Sequence, residues 1–259
     1  PTWAAAMREG VVASGDRCIL RESRKFRGDY VASIVWGVKS RWYRQAAMVR
    51  GDQAIIIERA YLGDRLGEWY SVGLNGLNGM ADFCNADVPA DRWEKYWHNQ
   101  IQPWRDNPGG YALIVGQVPG DASLCGIDPY EWAEYTARQA RERYSRVVFR
   151  PHPCCDPGRG VPGTELLGGS LDDALRGAAV VVTYSSNVGV LAVMAGVPVV
   201  AGGQCSMVRD IASHSVMEPL RRGDREDWGR RLAYAQWTEA ELRSGDAWRH
   251  IRRGLHVSE

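Results

Sequence analysis

The stretch Ala179-Val180-Val181-Val182-Thr183-Tyr184-Ser185-Ser186-Asn187-Val188-Gly189-Val190-Leu191-Ala192-Val193-Met194-Ala195-Gly196-Val197-Pro198-Val199-Val200-Ala201 decides the fold. It lies in a run from Gly177 to Val208 that contains no charged residue. Such a run exceeds the roughly 20 apolar residues of a membrane-spanning helix. Ser185-Ser186-Asn187 and Gly196-Val197-Pro198 break it into three pieces, however. The pieces read as strand (Ala179 to Thr183), helix (Asn187 to Ala195) and strand (Val197 to Ala201), with Gly196 as the helix stop. Strands apolar at every position are buried on both faces, as in a parallel sheet covered by helices.

The same pattern extends outward. Tyr111–Val115 and Val147–Arg150 read as strands, and a helix opens at Pro129 and runs to about Tyr144. A short helix spans Leu171–Arg176. Towards the N-terminus, Tyr30–Val35 and Ala54–Ile57 read as strands, with a helix from Trp42 to Arg50 stopped by Gly51. Gly63–Gly79 is rich in Gly and Asn and reads as turns. Pro103–Gly110 reads as a connector, and the tail from Asp224 to about Ile251 as mostly helical. The expected fold class is α/β, with two Rossmann-like, doubly wound units. The expected domains are residues 1–106, residues 107–223 and a helical tail, 224–259, packing back across them.

The chain has 259 residues, 45% hydrophobic and 24% charged, long enough to bury a core without disulfide or metal staples. Its net charge of +1 argues against coating nucleic acid through bulk positive charge. Lys25, Lys39 and Lys95 are the only lysines; the rest of the 32 basic residues are arginine. None of the lysines follows a glycine, so no P-loop exists. The six cysteines contain no C-x-x-C pair and read as reduced thiols. Cys154 and Cys155 follow His152, but adjacent cysteines chelate one ion poorly, so no metal site is expected. Pro1-Thr2-Trp3 shows no signal-peptide pattern, and a cytoplasmic protein with no membrane partner is expected.

Gly158–Gly163 matches G-x-G-x-x-G in letters, but Pro157 and Pro162 make it a loop with no long helix behind it. No nucleophile elbow surrounds Ser185 or Ser186, and no D-x-D triplet occurs. Three loops remain, each after a strand of the second unit, where such sheets bind ligands. They are Gly116 to Ser123, Arg150 to Pro153 and Tyr184 to Asn187. Hydroxyls and backbone N–H groups at a helix start, with Arg150 and His152 beside them, suit a phosphate. Each also has a plain reading: Ser185 or Ser186 as an N-cap, His152 as part of a stiff turn, and Asp121 as a turn cap.

These residues resemble the GT-B glycosyltransferases, in particular the capsule-polysaccharide transferases. The resemblance runs from about Tyr111 to Gly203. It rests on Gln117 to Asp121, Arg150 to Pro153, Ser185-Ser186 and Ala195-Gly196-Val197-Pro198-Val199. The chain is also similar to a group of bacteriophage glycosyltransferases. The stretches carrying that likeness are Glu58-Arg59-Ala60-Tyr61-Leu62-Gly63-Asp64-Arg65, Gly73 to Gly79, Gln236-Trp237-Thr238 and Ser244-Gly245.

The resemblance implies two Rossmann-like units facing a cleft and a metal-independent sugar transfer with no cofactor. A nucleotide-sugar donor would sit on the second unit, against Gln117, Asp121, Arg150, His152, Ser185, Ser186 and Asn187. The acceptor would enter from the first unit, near Arg59, Arg65, Asn75 and Asn78. Asp64, Glu58 and Asp121 are candidate general bases for its hydroxyl. Asn75 and Asn78, each next to a glycine, read equally as turn residues. Some phage enzymes of this type glycosylate hydroxymethylated bases in DNA. That acceptor would need a local basic patch such as Arg17, Arg21, Arg24, Lys25 and Arg27, or Arg249, Arg252 and Arg253. Trp42, Trp69, Trp93 and Trp97 would be available to stack on an extruded base, or to fill a core. The alternatives are a polysaccharide or other glycan acceptor, or a nucleotide-binding protein of the same fold without catalysis.

Overall fold

The computed structural model describes residues 2–20, 30–39, 53–63 and 68–256. Elements are numbered among these residues. The chain divides into two compact units, Pro1–Trp93 with Arg230–Glu259, and Glu94–Gly229.

The second unit is a five-stranded sheet of β4 (Tyr111–Val115), β5 (Val147–Arg150), β6 (Glu165–Leu166), β7 (Ala178–Thr183) and β8 (Val199–Ala201). Its order is β6-β5-β4-β7-β8, and every pair is parallel. The alternation of strand side chains explains how both faces are covered. Ala112, Ile114, Val180 and Val182 pack under α3 (Pro129–Ala140) through Ala133, Ala137 and Ala140. On the opposite face Tyr111 Oη donates to the Ala174 carbonyl (2.9 Å) of α4 (Leu171–Gly177). On that face too, α5 (Val188–Met194) lies close over β7 because Gly189 has no side chain: a Cβ there would stand 3.3 Å from Thr183 Cγ2.

Local signals place these elements. Asp128 accepts from Tyr130 N and Glu131 N and starts α3, with Pro129 in its first turn. Gly196, at φ +73°, takes the left-handed conformation that ends α5. The uncharged run is thus a buried strand, helix and strand, as expected. Among the described residues no helix is long and apolar enough to cross a membrane. Gly158–Gly163 forms no helix.

The first unit differs from the expected doubly wound sheet. Its four strands are β1 (Ser33–Trp36), β2 (Ala54–Arg59), β3 (Trp69–Leu74) and β9 (Gln236–Thr238), in the order β1-β2-β3-β9. Only β1 and β2 are parallel; β2–β3 and β3–β9 are antiparallel. The cause is β3, which lies inside the Gly- and Asn-rich stretch read as turns. Asn75 (φ 59°) reverses the chain directly after it. Gly73 sits mid-sheet because a Cβ would be 2.8 Å from both Ala81 Cβ and Phe83 Cε1.

The tail is also not wholly helical. Its β9 completes the first sheet's edge, and α7 (Glu239–Ser244) and α8 (Asp246–Ile251) pack with α1 (Thr2–Ala13) over one sheet face. That core contains Met7, Val11, Ile55, Ile57, Val72, Trp237, Leu242 and Ile251. Val35, Ala54 and Ile56 face the other way. The Pro103–Gly110 segment lies in the second unit, where Arg105 N donates to Gly196 O (2.8 Å). The expected helix Trp42–Arg50, Asp64, Arg65, and Arg21, Arg24, Lys25 and Arg27 lie outside the described residues.

Candidate functional site

In the second sheet the chain leaves β4 towards β5 and leaves β7 towards β8. The order therefore reverses between β4 and β7, and in open sheets of this kind ligands bind beyond the carboxyl ends of the strands at that point. The loop after β4 passes close to the end of β5 because Gly116 carries no side chain. A Cβ there would be 2.9 Å from Phe149 Cζ and 3.3 Å from His152 N.

A closed hydrogen-bond network fills the reversal point. Gln117 Oε1 accepts from Ser185 N (2.8 Å), and Gln117 Nε2 donates to Ser185 Oγ (3.1 Å) and more loosely to Ser123 Oγ (3.4 Å). Ser185 Oγ donates to the Ser123 carbonyl (2.9 Å). Ser123 N and Oγ both donate to Asp121 Oδ1 (2.8 Å each). Gln117, Ser123 and Ser185 are all buried. Buried polar groups this fully paired hold their positions, since each would cost about 1–3 kcal/mol if left unmatched. The network joins the loops after β4 and β7 and fixes them at the carboxyl edge of the sheet.

This geometry sorts the expected donor residues. Gln117, Asp121 and Ser185 come together, but the Ser185 N–H and hydroxyl are spent inside the protein. Asp121 caps the short turn Ala122–Leu124, and Ser186 Oγ accepts from Val188 N (3.3 Å) at the start of α5. Thr183 Oγ1 in turn accepts from Ser186 N (2.9 Å). Asn187 has helical backbone angles and makes no side-chain cap.

Arg150 ends β5, in register with Val115, and its Nη1 reaches Gly168 O at 3.3 Å. His152 Nδ1 accepts from Cys154 N (3.1 Å), which leaves the ring proton of the neutral form on Nε2. No group of three His, Cys, Asp or Glu residues suited to a metal occurs among the described residues.

No protein-family model matches the chain, and no curated protein matches it. Solved structures do. KpsC of Thermosulfurimonas dismutans, a beta Kdo 2,4 transferase, matches with a TM-score of 0.53 and 16% identity over 78% of each chain. Its beta Kdo 2,7 transferase counterpart matches at 0.49 and 16% identity over 80% of this chain and 81% of that one. What is shared is a fold. The 2,4 transferase likeness makes the chain an α/β protein resembling the KpsC glycosyltransferase fold. The bacteriophage resemblance rests on the sequence stretches alone.

In the first unit, Glu58 lies near the end of β2, and its carboxylate stands over Gly37: a Cβ there would be 2.6 Å from Glu58 Oε1. Arg59 is exposed at the strand end. Asn75 and Asn78 are both in the left-handed region. Asn75 Oδ1 accepts from Ala54 N (2.8 Å), and Asn78 Oδ1 accepts from Tyr61 Oη (3.1 Å). Both therefore serve turns. Trp93 and Trp97 are core residues.

The terminal arginines are tied down. Arg249 pairs with Asp246 (2.6 Å) and Arg252 with Asp16 (2.9 Å), while Arg253 bonds His250 Nδ1 (2.6 Å). The fully buried Gln236 holds the loop after β2, with Oε1 accepting from Tyr61 N (2.8 Å) and Leu62 N (3.0 Å). Sequence reasoning missed the roles of Ser123, Thr183 and Gln236. Ser123 stood inside the quoted loop, but nothing local marks it as the centre of a network.

Proposed function

We propose that the chain is a glycosyltransferase that moves a sugar from a nucleotide-sugar donor to a hydroxyl of a glycan. The observation that carries this reading is the parallel sheet whose order reverses where Gln117, Ser123 and Ser185 lock two loops together. Support comes from the fold shared with the beta Kdo 2,4 transferase. In this reading the donor lies along the carboxyl edge of the second sheet. Arg150 offsets charge on the departing phosphate, and His152 Nε2–H donates to it. Gln117 and Ser185 hold the loops instead of touching the donor.

The reading keeps the two-unit GT-B plan, with the acceptor taken by the first unit. Its general base is drawn from Glu58, Asp64 and Asp121, of which Asp121 already gives one oxygen to Ser123. No metal is assigned a step. A glycan is preferred to a modified base in DNA because Arg249, Arg252 and Arg253 are engaged by the protein's own groups.

A thermal-shift screen against nucleotide sugars tests the reading. A true donor raises the melting temperature at millimolar concentration, and Arg150→Ala weakens its binding by roughly tenfold or more, the worth of a charge-assisted hydrogen bond. If no nucleotide sugar moves the transition, the proposal falls.

A further inference from the structure

We propose that Cys125 and Cys205 form a reversible disulfide, made by exchange with a small disulfide such as glutathione disulfide, that ties the loop after β4 to the loop after β8. The two sulfurs stand 3.5 Å apart although the residues are 80 positions apart in sequence. In the sheet order β4-β7-β8, the two loops follow the strands on either side of β7, whose own loop carries Ser185.

The two thiols have unlike surroundings. Cys125 is exposed and Cys205 is buried. Burial above all, then the Cys125 contact and the Asp121 carboxylate, push the Cys205 thiol up to about 12. Cys125 is therefore the sulfur an outside disulfide reaches, and Cys205 the one that resolves the mixed disulfide. Cys125 also sits at φ 51°, a left-handed position that usually falls to Gly or Asn, with Gly126 (φ +88°) directly after it. The turn holds an ordinary L-residue where a glycine would be less strained.

The exchange balances. The Cys125 thiolate attacks one sulfur of glutathione disulfide, a Cys125–glutathione bond forms, and one glutathione thiolate leaves. Cys205 loses its proton to solvent and attacks Cys125 Sγ, the second glutathione leaves as a thiolate, and the two departing thiolates take up the two protons that Cys125 and Cys205 released. Two protein thiols are oxidised by two electrons, and one glutathione disulfide is reduced to two glutathiones.

Closing the sulfurs from 3.5 Å to about 2.05 Å pulls on the turn that carries Ser123. Ser123 holds Ser185, so the oxidised form should bind donor differently; this consequence alone rests on the proposed function.

The test incubates the native protein with millimolar glutathione disulfide, blocks the remaining thiols and maps peptides by mass spectrometry without reduction. The expected result is loss of two of the six thiols, a linked peptide joining Cys125 to Cys205, and reversal by dithiothreitol. Cys125→Ser and Cys205→Ala should each abolish the link. Cys125 is exposed, so its variant keeps the test valid should the buried Cys205→Ala variant misfold. All six thiols surviving, a glutathione adduct resting on Cys125 unresolved, or a link through Cys154 or Cys155 instead would overturn the pair. A link that forms while no nucleotide sugar binds the reduced protein would count against the glycosyltransferase reading and leave the disulfide standing.

Discussion

The two sheets are built on opposite logics. In the second unit β4, β7 and β8 are apolar on both faces but for Thr183, and Gln117, Ser123 and Ser185 pair with one another in the loops beyond β4 and β7. In the first unit a polar group lies in the packed interior. Arg92, on α2 (Asp91–Tyr96), donates through Nε to Ala233 O (3.0 Å) and through Nη2 to Gln236 O (2.8 Å). It pairs with Glu241 and lies 4.0 Å over the Trp237 ring. Burial raises the Glu241 pKa, but the bonds from Arg92 and Thr238 more than offset it and hold the carboxyl below its usual range. One unit therefore uses buried polar groups to lock two loops together at a sheet edge, and the other uses them to join its tail to its sheet.

The sharpest way to break that comparison is Arg92→Ala. It strips the partner from a mostly buried carboxylate and leaves two carbonyls unpaired, so a loss of about 3 kcal/mol is expected. Urea unfolding should show it, and a stability unchanged within half of that would mean the charge pair holds nothing. Gln117→Ala comes next. It orphans the Ser185 N–H and should cost about 2 kcal/mol and weaken donor binding with it. Destabilisation with donor affinity intact would separate the network from the site.

The third effect is a pH dependence of the first unit. His250 donates from Nε2 to Phe83 O (2.8 Å) and accepts at Nδ1 from Arg253 (2.6 Å). Burial foremost, with the Arg253 and Arg92 charges, pushes its imidazole down to about 4 against the Phe83 bond, which favours the charged ring. The unfolded chain binds its proton near 6.5 and the folded one only near 4. Stability from this group is therefore complete above about pH 6.5 and is lost as pH falls through 4, by an amount of order 2 kcal/mol. Melting curves of the wild type against His250→Gln across that range should converge at acid pH; parallel curves would remove the imidazole from the account.

Smallest is Asn75. Asn75→Gly keeps the positive φ and loses only the bond to Ala54 N, whereas Asn75→Ala also takes on left-handed strain of about 1 kcal/mol. Equal stabilities would show that the turn does not constrain β3.

The same contrast explains what the sequence made readable. Val180 to Val182 and Val199 to Ala201 are apolar without interruption, and one short helix separates them, so strand, helix and strand can be read locally. The strand β3 cannot: Gly73 and Asn75 are turn residues by composition, and Gly73 is in the sheet only because Ala81 and Phe83 press on it. Asp121, Ser186, Asn75 and Asn78 make cap and turn contacts of the kind the sequence left open beside the functional readings. The network was legible as two separate loops and not as a network, because Gln117 and Ser185 stand 68 positions apart and meet only when β4 and β7 pair.

One feature of the topology bears on how the molecule is made. The first sheet takes its edge strand β9 from the tail, while residues 94–229 form a unit in between. The inner unit has its whole sequence before the outer one does, so on the ribosome it can complete its core first. Until Gln236–Thr238 emerges, β3 offers a bare strand edge, open to pairing with another chain. The inner unit can thus fold before the outer one closes, and β9, made after it, covers the open edge of β3.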